Sequence, residues 1–345
     1  MMLGDDKVFI IAEAGVNHNG DKNIAYKLID AAKDAGADAI KFQTFKAEKL
    51  VSGNTEMAKY QKENTKGDKT QFDMLKDLEL DYNDFLELKE YCDRIGILFL
   101  SSPFDEESVN FLENLVAYYK VPSGEIVNYP YLRLIASKSK PIILSTGMAK
   151  LSEVEKALEV IYEVNRKAEI YLLHCTTNYP TPYEEVNLRA MITLKEAFKL
   201  PVGYSDHTDG IEIPVAAVSL GACIIEKHFT LDRNMIGPDH KASLEPEKFK
   251  TMVKAIRNVE KSLGDGIKKP TNSELQIKEV VRKKLVAAHD MEENDVVMEG
   301  DITFKRAKDG LSPELFEIII GKKLLKPIKK DEGFTLGHFM IEKSI

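Results

Sequence analysis

The stretch "GYSDHTDGIEIPVAAVSLGACIIEKHF" (Gly203–Phe229) spans one helix-like segment and parts of the two predicted strands that flank it. The two predicted strands, Pro201–Asp206 and Cys223–Thr230, are apolar along most of their length, which is typical of strands covered on both faces. A histidine lies at or near the carboxyl end of each, His207 and His228. Since a helical connection makes neighbouring strands parallel, both histidines are expected at the same end of one sheet.

The same alternation of short apolar runs and helix-like segments continues through the first three-quarters of the chain. Eight strands alternating with helices over roughly 250 residues match a (β/α)8 TIM barrel, the fold we predict for residues 1–263. A doubly wound open sheet shows the same alternation and is the structural competitor. The six further predicted strands are Val8–Glu13, Ala37–Thr44, Ile97–Ser102, Tyr118–Ser123, Pro141–Thr146 and Ile170–Thr176.

Polar side chains stand at the ends of all eight predicted strands. In a barrel these ends meet at one rim, where active sites of this fold are built. An open sheet would instead string them along an edge, where few would share a pocket. The polar groups are Glu13, Lys41, Gln43, Ser101, Ser102, Lys120, Ser123, Glu125, Ser145, Thr146, Thr176, Ser205, Asp206, His207, Glu226 and His228.

His207 and His228 allow two interpretations. Each is either a hydrogen-bonded histidine of the rim, or the two together bind a divalent metal ion. With only two strong protein ligands evident, such a metal would keep open positions and act as a Lewis acid. Imidazole and oxygen ligands suit Mn, Fe, Co or Zn, and the sequence does not choose among them.

Two lysines, Lys41 and Lys120, interrupt otherwise apolar strands. They either extend their ammonium groups to solvent at the strand end, or converge with nearby serines into a site for a phosphate or a carboxylate. Neither a Walker loop nor a GxGxxG motif follows a strand, which disfavours a nucleotide. Glu13 and Glu125 either transfer protons or pair with these lysines. These groups predict aldol-type carbon–carbon chemistry or metal-assisted hydrolysis on a small anionic metabolite.

The composition narrows the class of protein. A net charge of −8 argues against general binding of nucleic acid or of membrane surfaces, which requires a basic face. Three cysteines without metal-type or redox-type spacing are typical of buried thiols in a reducing compartment. The first residues lack signal-peptide features, and no apolar run reaches the ~18–20 residues of a membrane span. We therefore predict a cytoplasmic protein.

Linked sequence motifs extend along most of the chain. They are "IIAEAGVNHNGD", "GADAIKFQTFKAEKLVS", "YKVPSGEIVNYPYL", "PIILSTGMA", "LLHCTTNYPTPYEEVNL", "GYSDHTDGI", "EKHFTLD" and "GPDHKASLEP". Together these motifs resemble the sialic acid synthase family. This resemblance implies a TIM barrel that condenses phosphoenolpyruvate with an N-acetylmannosamine-type sugar to give a nine-carbon 2-keto acid.

The resemblance also implies roles for individual residues. Glu13 and Glu125 match the catalytic carboxylates, and His207 and His228 match the ligands of a divalent metal, Mn or Mg. Some relatives have Asn where this chain has Thr177, which leaves that contact to the phosphate open. The positions that match the phosphoenolpyruvate site are Lys41, Ser102, Lys120, Ser123, Ser145 and Ser205, and those that match the sugar site are Gln43, Tyr179 and Asp239.

The composition shifts after residue 263. Residues 264–283 are predicted to form a linker, because their first part is polar and carries Gly and Pro. Residues 284–345 are too few for a large core and resemble the antifreeze-like (SAF) domain of these synthases. The resemblance implies a domain-swapped homodimer in which Arg306 reaches the sugar in the partner subunit. A solvent-exposed loop arginine is the alternative for Arg306.

Three acceptor sugars fit the resemblance: N-acetylmannosamine, its 6-phosphate, and the 2,4-diacetamido-2,4,6-trideoxymannose that leads to N,N'-diacetyllegionaminate. Three features favour the last sugar. The motifs resemble those of legionaminate-type synthases, Pro122 stands where neuraminate-forming relatives carry Gly, and no extra basic residue can be assigned to a sugar phosphate. The pseudaminate branch fits less well. Two other functions remain: a 3-deoxy-aldulosonate-phosphate-type synthase, which lacks the C-terminal domain, and a non-catalytic carbohydrate- or ice-binding protein, which would leave the strand-end groups without a role.

Overall fold

A computed structural model describes residues 7–65 and 70–339 of the 345-residue chain. It divides into two compact units, Met1–Gly264 and Asp265–Ile345. Throughout the described ranges, no helix is both long and apolar enough to cross a bilayer.

The first unit contains eight parallel strands in the order β3-β2-β1-β8-β7-β6-β5-β4. The two strands at the ends of this order, β3 and β4, contact each other, so the sheet curves into a nearly closed barrel. This confirms the predicted TIM barrel over the open sheet. The strands are β1 (Phe9–Gly15), β2 (Ala39–Thr44), β3 (Leu98–Pro103), β4 (Tyr119–Val121), β5 (Ile142–Ser145), β6 (Ile170–His174), β7 (Val202–Asp206) and β8 (Ile224–His228).

Helices follow the strands along this unit. The first, α1, starts at an Asp21 side chain that accepts a hydrogen bond from the Asn23 amide, as an N-cap does. The helices of the first unit are α1 (Lys22–Asp34), α2 (Ala47–Leu50), α3 (Lys59–Thr65), α4 (Gln71–Leu78), α5 (Tyr82–Ile95), α6 (Glu106–Leu112), α7 (Tyr129–Ser137), α8 (Leu151–Val164), α9 (Arg189–Phe198), α10 (Glu212–Ser219) and α11 (Pro246–Leu263).

Alternate residues of each strand face opposite sides, because side chains in a strand have a period of two. One set, which includes Ile11, Leu100, Tyr171 and Ile224, fills the barrel interior with a compact apolar cluster. The other set packs with the apolar faces of the helices into the largest core of the molecule. On several strands the inward set changes from apolar to polar towards the carboxyl end, and this change opens a site there.

The connection between β2 and β3 forms more helices than its polar sequence indicates. It carries α2, α3 and α4 before α5, and Thr70 and Asp73 form a reciprocal capping box at the start of α4. Such capping satisfies orphan amides of a short helix.

The second unit has a small apolar core of its own, built around Leu285, Val297, Leu324 and Phe334. Its sheet is an antiparallel pair, β9 (Lys284–Ala287) and β10 (Ile302–Lys305), and its helices are α12 (Asn272–Val281) and α13 (Phe316–Ile319). Helix α12 lies within the predicted linker 264–283, because Thr271 and Glu274 supply a capping box that the polar composition concealed.

Candidate active site

A cavity of about 310 Å³ opens at the carboxyl ends of the barrel strands. Side chains from every strand or from the loop that follows it contribute to its wall. The predicted site residues that line it are Glu13, Lys41, Gln43, Ser102, Lys120, Ser123, Ser145, Tyr179, Ser205, His207, His228 and Asp239. The structure therefore brings into one cavity groups that are more than two hundred residues apart in the chain.

Four buried charged groups form a network on the cavity floor. Lys41 pairs with Glu13 and lies 3.7 Å from Glu226, measured from Nζ to the nearer carboxylate oxygen. Lys120 Nζ lies 3.3 Å from the other oxygen of Glu226, which also accepts a 2.9 Å hydrogen bond from the Ser205 hydroxyl. The two ammonium groups and two carboxylates nearly balance, which permits their burial.

The electrostatics of the network separate its two carboxylates. Burial would raise the pKa of Glu226, but Lys120 and Lys41 outweigh burial and hold that pKa at about 2. At Glu13 burial prevails over Lys41, and the nearby Glu226 charge adds to it, so the pKa of Glu13 is raised. Glu226 therefore stays ionised, whereas Glu13 gains the tendency to take up a proton that a general base requires.

The two lysines also differ. Burial would lower the pKa of Lys41, but Glu13 and Glu226 outweigh it and raise that pKa. Burial prevails at Lys120 and lowers its pKa, with Glu226 opposing the change. The Lys41 ammonium further donates to the Ser102 hydroxyl over 3.2 Å. An anion that reaches this floor meets two cations, one of which is held by carboxylates on two sides.

The two histidines lie side by side on the cavity wall, with ring centroids 5.4 Å apart. His207 Nδ1 lies 2.6 Å from the Thr176 carbonyl and donates to it, so its Nε2 carries a free lone pair. His228 Nδ1 is buried and has no hydrogen-bond partner among the described residues. Burial lowers the pKa of both imidazoles, and neutral imidazoles are competent metal ligands.

These observations fit a metal site that is open on the substrate side. A carbonyl that fixes the tautomer of a ligating histidine is the usual outer contact of such sites. Within residues 7–65 and 70–339, no group of three or more His, Cys, Asp or Glu side chains is arranged to hold an ion. The two imidazoles are the nitrogen donors that the described lining of the cavity places side by side.

An aromatic wall adjoins the histidines. The Tyr179 ring packs 4.2 Å from that of His207 and 5.5 Å from that of His228, measured between centroids. Tyr60, from α3, stacks on the Tyr179 ring, with the two ring centroids 5.4 Å apart. Burial raises the pKa of both phenols, which therefore remain neutral hydrogen-bonding groups. Gln43 also reaches the site and donates to Glu13 over 3.3 Å.

The loop that carries Asp239 is tied to the loop after β1. Asn17 donates to the Ser243 hydroxyl over 2.9 Å, and Ser243 in turn donates to the Asp239 carbonyl over 2.7 Å. A second connection runs from His240 to Asn19 over 3.1 Å. Burial raises the pKa of the Asp239 carboxyl to about 7, with Glu13 contributing. The Asp239 carboxyl therefore takes up a proton more readily than an exposed aspartate does.

Among the predicted site residues of the first unit, Glu125 does not line the cavity. Glu125 lies in a 3-10 turn after β4 and accepts a 2.7 Å hydrogen bond from the Asn128 side chain. Arg306 is exposed in the second unit, where its Nε donates to the Val281 carbonyl over 3.2 Å. His18, in the loop after β1, is buried outside the cavity lining, and its Nδ1 accepts a hydrogen bond from the Gly20 amide over 3.1 Å.

The sequence of this chain is similar to known proteins over most of its length. The sequence profile of the NeuB family matches residues 28–268. The chain belongs to the NeuB family. The N,N'-diacetyllegionaminic acid synthase of Campylobacter jejuni subsp. jejuni serotype O:2 is 53% identical over 94% of this chain and 98% of its own. That of Legionella pneumophila subsp. pneumophila is 49% identical over 92% and 90%.

A solved structure shares the fold. The N-acetylneuraminic acid (sialic acid) synthetase of Leptospira borgpetersenii serovar Hardjo-bovis, in complex with citrate, superposes with a TM-score of 0.70 at 37% identity. The alignment covers 81% of this chain and 96% of that one. The predicted resemblance to sialic acid synthases is thereby confirmed. The NeuB profile ends at residue 268, so the antifreeze-like assignment of residues 284–345 stays a prediction.

This NeuB-family cavity also contains residues that the sequence reasoning did not place in it. Glu226 was noted at a strand end but given no role, although the period of two puts it on the same strand face as His228. Cys175, interpreted as a buried thiol, lies 3.1 Å from the Ser123 hydroxyl. Tyr60 carried no signal, because α3 reaches the cavity only through the fold of the long β2–β3 connection.

A glycine shapes the corner beside Ser123. The Gly147 amide donates to the Ser123 hydroxyl over 3.0 Å. A Cβ at position 147 would lie 2.4 Å from the Thr177 hydroxyl and 2.7 Å from that of Ser123, closer than atoms pack. The tight corner therefore requires glycine, and it places Thr177 next to the predicted phosphate-binding serines.

Proposed function

We propose that this enzyme condenses phosphoenolpyruvate with 2,4-diacetamido-2,4,6-trideoxymannose to form N,N'-diacetyllegionaminate and phosphate. The observation that carries the proposal is the single cavity in which two buried lysines, a protonatable glutamate and two neutral imidazoles converge. Membership in the NeuB family supports the same class of reaction.

Lys41 and Lys120 are proposed to hold the donor. Phosphoenolpyruvate carries a carboxylate and a phosphate, and each needs a cation in a cavity that excludes water. The hydroxyls of Ser102, Ser123 and Ser145 supply further donors around the two ammonium groups. The Ser145 hydroxyl is buried without a hydrogen-bond partner among the described residues, as expected for a group that bonds to a ligand.

The acceptor is proposed to lie between the donor and the histidines. His207 and His228 would hold a divalent cation, Mn or Mg, which supplies Lewis acidity to the aldehyde of the open-chain sugar when bound. Tyr179, Gln43 and Asp239 orient the sugar through hydrogen bonds. Carbon 3 of phosphoenolpyruvate then forms a bond to the aldehyde carbon with the electrons of the carbon 2–carbon 3 double bond. Carbon 2 becomes electron-poor, and the aldehyde oxygen takes up a proton to become a hydroxyl.

Glu13 is proposed to transfer the proton of the second step. After the carbon–carbon bond forms, a water molecule adds to carbon 2 and phosphate leaves by cleavage of the carbon–oxygen bond. Glu13 accepts the proton that this water loses, and the raised pKa of Glu13 suits that role. Lys41, paired with Glu13, stabilises the carboxylate before the transfer.

The cavity wall supports an uncharged acceptor. Lys41 and Lys120 are the cations among the described residues of the lining, and both already pair with carboxylates on the floor. Met74, Leu78 and Phe104 form an apolar side of the cavity. An apolar wall favours a 6-deoxy sugar over a 6-phosphate, because a buried phosphate without a cation is strongly disfavoured.

Phosphate release from phosphoenolpyruvate tests the reaction and the acceptor together. The purified full chain is assayed with Mn or Mg and with 2,4-diacetamido-2,4,6-trideoxymannose, N-acetylmannosamine, N-acetylmannosamine 6-phosphate and a phosphorylated aldose. The highest kcat/KM is expected for the first sugar. Preference for the phosphorylated aldose would replace the proposal by an aldulosonate-phosphate-type synthase, and no release with any sugar would favour a binding protein.

The metal site is tested by binding rather than by turnover. Free Mn²⁺ is titrated against the full chain and measured by electron paramagnetic resonance. The His207→Ala variant should lose binding, whereas His174→Ala, which removes a histidine outside the lining, should retain it. Equal binding by all three proteins would place the cation elsewhere.

The predicted quaternary arrangement remains part of the proposal. We propose a cytoplasmic homodimer in which Arg306 of one subunit reaches the acceptor in the partner, as the resemblance implies. A dilution series that follows mass and activity together tests it. A monomer with full activity would exclude a contribution of Arg306 in trans.

A further inference from the structure

A second pair of buried charges lies on the opposite side of the same two strands. Asp206 of β7 and Lys227 of β8 are direct neighbours in the ladder, and each is adjacent in sequence to one of the two histidines. Their side chains face the helix layer rather than the cavity. Both are completely buried and form an ion pair.

This pair is completed by the residue that follows His207. Lys227 Nζ donates both to the Asp206 carboxylate and to the Thr208 carbonyl. Asp206 in turn accepts from the Thr208 amide over 3.0 Å and from its hydroxyl over 2.8 Å. The ammonium and the carboxylate thus satisfy each other and the backbone of Thr208.

The contact to Thr208 reaches a point beyond the last position of the β7–β8 ladder. The β7–β8 ladder ends at the Asp206–Lys227 pair, so His207 lies just beyond the last ladder position. On the β6 side, the Thr181 amide donates to the His207 carbonyl over 2.8 Å. On the β8 side, the Lys227 contact to Thr208 is what ties this segment to the strand of His228.

Stability alone does not explain a fully buried ion pair. Replacing such a pair by apolar residues of similar volume is often neutral or stabilising, because desolvation offsets the attraction. Such a network can instead fix the relative position of two strand ends. Lys227, on the strand of His228, bonds to Thr208, which follows His207.

We propose that the Asp206–Lys227–Thr208 network positions His207 and His228 for joint binding of a divalent cation. The inference rests on the proposed metal site. The network touches neither substrate nor cation; it acts through the backbone and sets the relative position of the two imidazole rings.

The double variant Asp206→Leu/Lys227→Met tests this role, because it removes both charges without leaving one unpaired. Mn²⁺ affinity of the full chain, measured by electron paramagnetic resonance, should fall about 10- to 100-fold, the usual effect of losing an outer contact of a metal ligand. The apparent KM for Mn²⁺ should rise, and kcat should recover at saturating Mn²⁺. The thermal midpoint should be near that of the wild type.

A matched control removes a buried polar pair elsewhere in the helix layer. Thr44 and Ser101, on β2 and β3, share a 2.7 Å hydrogen bond between their hydroxyls. The Thr44→Val/Ser101→Ala variant should keep wild-type Mn²⁺ affinity. A folded Asp206→Leu/Lys227→Met protein with unchanged affinity would overturn the inference.

Two single variants cover the cases in which the double variant does not fold or the proposed metal site is wrong. If the double variant fails to fold, Thr208→Val removes one bond of the network, and its Mn²⁺ affinity decides: a several-fold loss at an unchanged thermal midpoint supports the inference, and no loss overturns it. If His207→Ala binds Mn²⁺ as tightly as the wild type, the proposed metal site itself fails and this inference with it.

Discussion

Both faces of β7 and β8 carry buried charged residues, but the two faces differ in how completely these residues are hydrogen-bonded. Facing the helices, Asp206 and Lys227 satisfy each other and the neighbouring backbone. Facing the cavity, Glu226 is shared between two lysines at 3.3 and 3.7 Å, and His228 Nδ1 has no partner among the described residues. The charged residues on both faces are buried, but only those that face the helices have all their hydrogen-bonding groups paired.

This difference in hydrogen bonding distinguishes residues that support the fold from residues that bind a ligand. Buried polar groups are normally satisfied, since an orphaned group costs about 1–3 kcal/mol. A set of incompletely satisfied groups on one face of a barrel indicates that a ligand completes them. Substitutions on the cavity face should therefore change catalysis more than stability, and the following predictions test that rule.

The largest effect is expected for Glu13→Gln. The amide retains the size and one acceptor of Glu13 but cannot take up the proton of the attacking water, so kcat should fall roughly 100- to 10,000-fold, the range for loss of a general base. Mn²⁺ affinity should stay within about 3-fold of the wild type. Steady-state phosphate release and Mn²⁺ titration measure the two quantities.

Glu125→Gln is the matched comparison, because both carboxylates were predicted to be catalytic. Glu125 is bonded to Asn128 and lies outside the cavity lining, so its substitution should change kcat less than 10-fold. A loss at Glu125 that equals the loss at Glu13 would contradict the distinction between the two residues.

A smaller loss is expected for Lys120→Met. This change removes one of two cations proposed to hold the donor, and a hydrogen bond to a charged group contributes about 1.5–3 kcal/mol, or roughly 10- to 100-fold. The KM for phosphoenolpyruvate should rise by that factor, with little change for the sugar. Lys138→Met, which breaks a 2.6 Å pair with Glu113 away from the cavity, should leave both constants unchanged.

The sequence predicts the eight barrel strands well and the connections between them poorly. Continuous apolar runs mark the eight barrel strands to within a few residues, because buried parallel strands leave few polar positions. The β2–β3 connection gave no comparable signal for α2 and α3, since short helices lack a clear apolar period. Tyr60, which lies there, was missed for that reason.

Site residues were predictable where the strand itself carries them. Lys41, Ser205 and His228 follow from an apolar run that ends in a polar group. Glu125 comes after the end of β4, where a 3-10 turn rather than the strand sets its direction, so its catalytic role stays a prediction. The two opposite faces of β7 and β8 also explain why Asp206, counted with the rim groups, faces away from the cavity.

Asp239→Asn tests whether the buried Asp239 carboxyl lowers the free energy of unfolding. Because burial raises the pKa of this carboxyl to about 7, the folded chain binds a proton more tightly than the unfolded chain, and stability falls as pH rises from about 4 to about 7. Asn removes that loss, so the variant should be more stable by about 1–3 kcal/mol at pH 8 and near wild type at pH 4. Denaturant unfolding at both pH values measures it.

The exposed Asp34→Asn variant provides the surface control for Asp239, and its free energy of unfolding should stay within about 0.5 kcal/mol of the wild type. Activity should move in the opposite direction to stability in Asp239→Asn, because the proposed sugar contact is altered. A variant that is destabilised at pH 8 would show that the Asp239 carboxylate is held by a favourable interaction instead.

The smallest effect is expected for Ser145→Ala. The hydroxyl has no hydrogen-bond partner among the described residues, so its removal breaks no contact, and the free energy of unfolding should change by less than about 0.5 kcal/mol. The KM for phosphoenolpyruvate should still rise about 10-fold, because one hydroxyl hydrogen bond to the anionic donor is lost. Thr44→Val, which breaks a satisfied bond on the helix-facing side, should show the reverse pattern of lower stability and unchanged KM. If both variants lose stability equally and neither changes KM, the contrast between the two faces does not report function.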